Sequence, residues 1–276
     1  MTVLQALFLG ILQGLTEFLP VSSSGHLVLA QRLMNVNLGG ADMLFDLTLH
    51  LGTLLAVCFV FRKKIFELFR RPFKTLLYLF AASLPAAAVG LFLGDIIDSV
   101  FFGGTYLAFG FALSAALLTG AQMRAKKAKN TLPLNFGRTM CMGAAQALAV
   151  LPGISRSGAT VAAGIIAGGN GEEVADFSFL LSIPVILGGF AVTLFKGVSS
   201  GELHAAFAAS GDNFGLCIAV SVAASAIAGL FAIKIMLRCI SSAKYTPFII
   251  YLCLLAAACG ASVSYTHLTL PTNSRV

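Results

Sequence analysis

The sequence predicts an all-α polytopic membrane protein: two inverted-topology repeats, each a re-entrant helix-loop-helix plus three transmembrane helices. Three observations predict it. Of 276 residues, 58% are hydrophobic and 11% are charged, where a soluble domain carries about a quarter charged residues. The apolar residues come in continuous runs, as lipid requires of a helix that must satisfy its own backbone. The stretch "GILQGLTEFLPVSSSGHLV" (10–28) also returns, altered, as "GAAQALAVLPGISRSGATV" (143–161). A barrel would need alternation, which these runs lack.

The elements follow in order. The first apolar stretch, about 3–34, is broken midway by Pro, Ser and Gly. It reads as a helix that enters and turns back, allowed where the loop is buried in protein or lines a wet cavity. Windows long enough to span come at about 44–61, 76–94 and 104–122. The second broken stretch, 139–168, precedes spans at 177–195, 214–236 and 246–264. Residues 1–263 thus form a single integral membrane domain, with repeat one about 3–122 and repeat two about 139–263. The end, "SYTHLTLPTNSRV" (264–276), is polar and reads as a non-native or disordered tail, so His267 is not a site candidate. The start lacks a basic n-region and an A-x-A-like site, so no cleavable signal peptide is expected. The six cysteines show no C-x-x-C spacing and are expected as packing residues, not disulfides or metal ligands.

The net charge of +7 suggests nucleic acid until the charges are placed. Loop 62–75 holds six basic residues against Glu67 alone, and loop 123–138 holds five and no acid. Between them, 95–103 has Asp95 and Asp98 and no Lys or Arg. The positive-inside rule makes 62–75, 123–138 and 237–246 cytoplasmic, and 95–103 and 196–213 external. The basic residues are topology anchors, and nucleic acid is excluded. Stretch 3–34 then enters from outside and 139–168 from the cytoplasm, so the two hairpins meet near the midplane. Inverted repeats place sites at that interface.

The two copies differ where chemistry would lie. Gln13 pairs with Gln146, Ser22 with Ser155, Ser24 with Ser157 and Gly25 with Gly158. Copy one has Glu17, Ser23 and His26 where copy two has an apolar residue, Arg156 and Ala159. Ionisable groups at membrane depth are costly and signal function. "GISRSGAT" sets Ser and Gly before an apolar helix, where free N–H groups and the dipole favour an anion, and Arg156 adds a planar fork suited to phosphate. A phosphate or pyrophosphate ligand is expected, held by Ser22, Ser24, Gly25, Ser155, Ser157, Gly158 and Thr160. Glu17 beside it would bind a bridging divalent cation or act as general base. Gln13, one turn before Glu17, can orient it or the ligand. Ser23 and His26 remain alternative nucleophiles.

At "QGLTEFLPVSSSGH" (13–26) and "LPGISRSGAT" (151–160) the sequence closely resembles the undecaprenyl-diphosphatase, or bacitracin-resistance, family of bacterial inner-membrane enzymes. "FDLTLHLGTLLAV" (45–57) and "FSFLLSIPVILGG" (177–189) are similar to the family as well. The resemblance implies hydrolysis of a C55 polyprenyl diphosphate, recycling the lipid carrier for cell-wall synthesis. It implies a site open to the periplasm and a divalent cation, Mg²⁺ or Ca²⁺. Carried over, Glu17 is the essential carboxylate and metal ligand, Gln13 its partner and Arg156 the phosphate-binding guanidinium. His26 and Ser23 match residues that serve as nucleophile or acid/base. The partners implied are the lipid substrate and the membrane; a homodimer stays open.

Three rival readings compete, one of them a structural scaffold subunit, which leaves the unequal copies unexplained. "KIFELFRRP" from Lys64 fits the K-x6-R-P pattern of type-2 phosphatidic acid phosphatases, but the element order is reversed and Ala162 stands where their histidine is required. A transporter of polyprenyl phosphate would share the inverted repeats, and is separated by whether phosphate is released.

Overall fold

Prolines decide where both re-entrant segments turn. The computed structural model describes residues 1–36, 42–101, 106–127, 131–199, 201 and 213–269. Helix α1 (Val3–Phe18) starts in a capping box, with the Thr2 hydroxyl accepting from the Gln5 N–H and the Gln5 side chain accepting from the Thr2 N–H. It stops because Leu19 precedes Pro20, which steers Leu19 to extended backbone (φ −69°, ψ 147°). Helix α2 (Ser23–Leu33) runs back. At 1.5 Å per residue α1 is about 24 Å long and α2 about 16 Å, both short of an about 30 Å hydrocarbon core. The second hairpin, α7 (Phe136–Leu148) and α8 (Arg156–Ile166), repeats the plan.

The loops differ by one residue, and the backbone absorbs it. In the longer loop Gly153 takes the positive φ (87°), which leaves Ser155 at φ −73° to cap α8. The shorter loop has no glycine there, so Ser22 itself sits at φ 71° while capping α2. Both serine hydroxyls accept from a glycine N–H three residues on, Gly25 at 3.4 Å and Gly158 at 3.1 Å.

The longer helices are α3 (Asp42–Val60), α5 (Lys74–Phe101), α6 (Leu107–Lys127), α9 (Gly171–Ser199), α10 (Phe214–Ser241) and α11 (Thr246–Thr269). Among the described residues, three helices are long and apolar enough to cross a membrane. A fourth joins them if α3 and the short α4 (Arg62–Leu68), bent by 79°, count together. The sequence predicts six spans. Helix α6 covers 104–122 in part but carries Ser114, Thr119 and Gln122, polar groups bonded to the protein and not suited to lipid. Helix α11 covers 246–264.

Two loop expectations need correction. Residues 62–68 are helical: α4 turns aside from α3 and exposes Phe66 and Phe69 beside Arg62 and Lys63, the composition of an interfacial helix. Within 95–103, α5 continues through Phe101, because "IIDSVF" holds no breaker; residues 102–105 lie outside the described residues. In the segment read as a tail the backbone stays helical through Thr269, and 270–276 lie outside the described residues. Most of 196–213, and 128–130, also lie outside them.

Packing follows the repeat. Helix α1 of the first half lies on α10 of the second, and α7 of the second lies on α5 of the first. Both crossings need glycine: a Cβ on Gly10 or Gly14 would stand 2.4 Å from a backbone oxygen of α10, and one on Gly143 2.4 Å from Ala82 O. Small residues let backbones meet where lipid supplies no hydrophobic drive. Likewise α3 packs on α10 and α9 on α5, while α3 meets α9 and α6 meets α11. Phe18, Phe61 and Phe179 fill the centre, with ring centroids 5.7 and 5.5 Å apart.

Candidate active site where the two loops meet

Each loop reaches the other through backbone. The Ser157 hydroxyl donates to the Leu19 carbonyl at 3.1 Å, and a Cβ on Gly158 would meet Pro20 at 3.1 Å. A Cβ on Gly25 would lie 3.3 Å from the Gly153 Cα. The second loop is held from behind by Ser114 of α6, whose hydroxyl accepts from Ser155 N–H at 2.8 Å. Ser23 and Arg156, the first residues of α2 and α8, both bond Glu17, so the two helix N-termini come together there, where their dipoles favour negative charge.

At that junction Glu17 gathers four partners. Arg156 Nη2 donates to its Oε1. Its Oε2 accepts from Gln13 Nε2 at 3.1 Å and from the Ser23 hydroxyl at 2.6 Å, and His50 Nε2 stands 3.5 Å away. The spacing of Gln13 and Glu17 puts both on one face of α1, and Glu17 is 7% exposed. So the sequence's guanidinium and carboxylate do meet, across 139 residues of chain. Two buried polar atoms beside them have no partner among the described residues: Gln13 Oε1 and Arg156 Nη1. A buried guanidinium donor left unpaired is costly, and an incoming oxyanion would satisfy it.

Other singled-out residues are placed differently. His26 bonds other groups: Nδ1 lies 2.7 Å from Ser22 O and Nε2 2.6 Å from the Tyr251 hydroxyl. Thr160 donates to Arg156 O at 2.9 Å and pairs with Ser178 at 2.6 Å, bracing α8 against α9. Ser24 Oγ lies 3.4 Å from Ser22 Oγ, and Ser155 Oγ 3.3 Å from Ser157 Oγ. A Cβ on Gly25 would stand 2.6 Å from the Phe111 ring, and one on Gly158 would fit tightly, 3.1 Å from Pro20 and Ser155. Sequence reasoning missed His50, Tyr251 and Ser114. A lone histidine inside the span "FDLTLHLGTLLAV" was a usable signal for the first; the other two are ordinary residues for their helices.

A divalent cation can be tested against this donor set. Among the described residues no group of three or more His, Cys, Asp or Glu converges. Glu17 with the unpartnered Gln13 Oε1 still fits Mg²⁺, which takes one or two carboxylates and completes its shell with water and phosphate oxygens.

Fold and site together define a polytopic α-helical membrane protein in which two helix-loop-helix hairpins bring Glu17 and Arg156 together. The chain belongs to the family described as Bacitracin resistance protein BacA, matched over residues 6–258. Three relatives carry the name undecaprenyl-diphosphatase. That of Carboxydothermus hydrogenoformans is 39% identical, covering 92% of this chain and 95% of the relative. That of Christiangramia forsetii is 38% identical, covering 91% and 94%. That of Methanobrevibacter smithii is 35% identical, covering 97% and 100%.

Proposed function

We propose that this chain hydrolyses undecaprenyl diphosphate to undecaprenyl phosphate and inorganic phosphate. One observation carries the reading: a half-buried Arg156 whose buried Nη1 has no partner among the described residues, set beside a Ser23–Glu17 hydrogen bond at two converging helix N-termini. The family membership and the relatives' name support the substrate. The prenyl chain explains why the site is sunk among apolar helices.

The residues divide the work by position. Arg156 turns from Glu17 to the terminal phosphate, helped by the N–H groups that open α2 and α8. Among the described residues Ser23 carries the one hydroxyl bonded to Glu17. Its Oγ bonds the terminal phosphorus as Glu17 takes its proton and the anhydride P–O bond breaks, releasing undecaprenyl phosphate. Water then attacks the phosphoserine, Oγ leaves with a proton, and inorganic phosphate departs. Glu17 and Gln13 would hold a divalent cation, Mg²⁺ or Ca²⁺, which supplies charge neutralisation on the phosphate oxygens. His26 matches a family residue in the same loop, but its Nε2 is committed to Tyr251.

By the loop charges, the first hairpin opens to the outside of the membrane. We place the protein in the bacterial inner membrane with its site facing the periplasm, where it returns the lipid carrier to cell-wall synthesis and so confers bacitracin resistance. Purified protein should release phosphate from the lipid diphosphate, and Glu17→Ala and Arg156→Ala should abolish that release. Transbilayer movement of the lipid with no phosphate released would overturn the reading.

A further inference from the structure

Two bonds specify which nitrogen of His26 carries a proton. The Ser22 carbonyl, 2.7 Å from Nδ1, can only accept, so Nδ1 bears the hydrogen. The neutral ring then presents a lone pair at Nε2, and the Tyr251 hydroxyl, 2.6 Å away, donates to it. The two rings are nearly parallel, 16° apart with centroids at 5.6 Å, and Phe111 closes on the imidazole edge at 5.8 Å. Phe111 comes that near because residue 25 is glycine: a Cβ there would stand 2.6 Å from the Phe111 ring.

The repeat shows that this contact is unlike its counterpart. Helix α8 packs along α6, but the corresponding pair, α2 with α11, is not close-packed among the described residues. His26 and Tyr251 bridge it. The start of α11 is anchored independently, since Gln122 Oε1 of α6 accepts from Tyr245 N–H at 3.0 Å and from the Thr246 hydroxyl at 3.1 Å. Tyr251, between one and two turns further on, is thereby set at a fixed height on the site.

We propose that Tyr251 is a positioning residue: its hydroxyl holds the His26 imidazole as the Nδ1–H tautomer, with Nε2 kept as an acceptor. The inference rests on the phosphatase reading above. Nε2 so committed does not attack phosphorus, which leaves that step to the Ser23 hydroxyl.

Tyr251→Phe tests this, because it keeps the ring and its stacking and removes only the hydroxyl. Because the imidazole so held also bonds the Ser22 carbonyl, next to Ser23, kcat for phosphate release should fall about tenfold, the worth of one hydrogen bond, with KM within about twofold. A purely structural tyrosine would leave kcat unchanged in this variant. On ¹⁵N-histidine-labelled protein, the His26 ring nitrogens, assigned by their loss in His26→Asn, should report Nδ1–H and a hydrogen-bonded Nε2. The Nε2 resonance should shift in Tyr251→Phe. Unchanged kcat, or an unchanged Nε2 resonance, overturns the inference. Wild-type protein that releases no phosphate would sink the phosphatase reading instead, and the nitrogen resonances would still decide whether Tyr251 holds His26.

Discussion

Glu17 is surrounded by polar partners from four helices, α1, α2, α3 and α8, so its substitutions should separate chemistry from folding. Glu17→Gln keeps a similar shape but leaves Arg156 without its counter-charge. Phosphate release should fall at least about 100-fold, and thermal unfolding in detergent should report a loss of about 3 kcal/mol, typical of breaking a buried pair. Arg156→Lys should lose nearly as much activity, because an ammonium cannot serve Glu17 and a phosphate with one planar fork. Steady-state kinetics of that variant checks it. Ser23→Ala should abolish a phosphoserine that can be trapped by acid quench in the wild type, and an intact trapped adduct would point to another nucleophile. The sequence made Glu17, Ser23 and Arg156 visible, since a repeat with unequal copies marks the unequal positions. It could not place His50 or Tyr251 beside the site. Their contacts cross 33 residues to Glu17 and 225 to His26, distances over which spacing carries no information.

At the level of elements, the α1–α10 crossing is set by absent side chains. A Cβ on Gly14 would lie 2.4 Å from Ser225 O and 2.6 Å from the Ala228 Cβ. Gly14→Leu should force the two helices apart and cost about 3 kcal/mol or more by overpacking, seen as a lower melting temperature and loss of monodisperse protein in detergent. Gly90→Ala, where nothing lies within 4 Å, is the matching control and should be neutral or slightly stabilising. Helix boundaries were readable wherever a proline stops a helix, as at Leu19–Pro20. They were not readable at α4, where composition showed only a basic loop, because the 79° bend depends on where the membrane surface and α9 lie. There Lys64 pairs with Asp176 of α9, joining the two repeats at the end opposite the first hairpin's opening. No sequence pattern links those two residues.

For the whole molecule, the charge distribution and the repeat together anticipated two hairpins meeting in the interior, and the contact of Ser157 with the Leu19 carbonyl is such a meeting. The proposed cation requirement belongs to this scale, because Glu17 and Gln13, which would hold the cation, lie on the first hairpin, and Arg156, which would hold the phosphate, lies on the second. Chelation should reduce phosphate release by about tenfold or more, restored by Mg²⁺ or Ca²⁺, and titration of the cation into protein carrying a non-hydrolysable diphosphate should show saturable binding that Glu17→Gln removes. The interlocked packing has a further consequence. With α1 seated on α10 and α7 on α5, neither half owns a complete set of neighbours, so each is the missing wall of the other. A gene cut between residues 127 and 131 should therefore yield two fragments that are degraded when made singly and recover activity when made together. Two inactive chains, one altered at Glu17 and the other at Arg156, should complement by trading fragments once both are cut there.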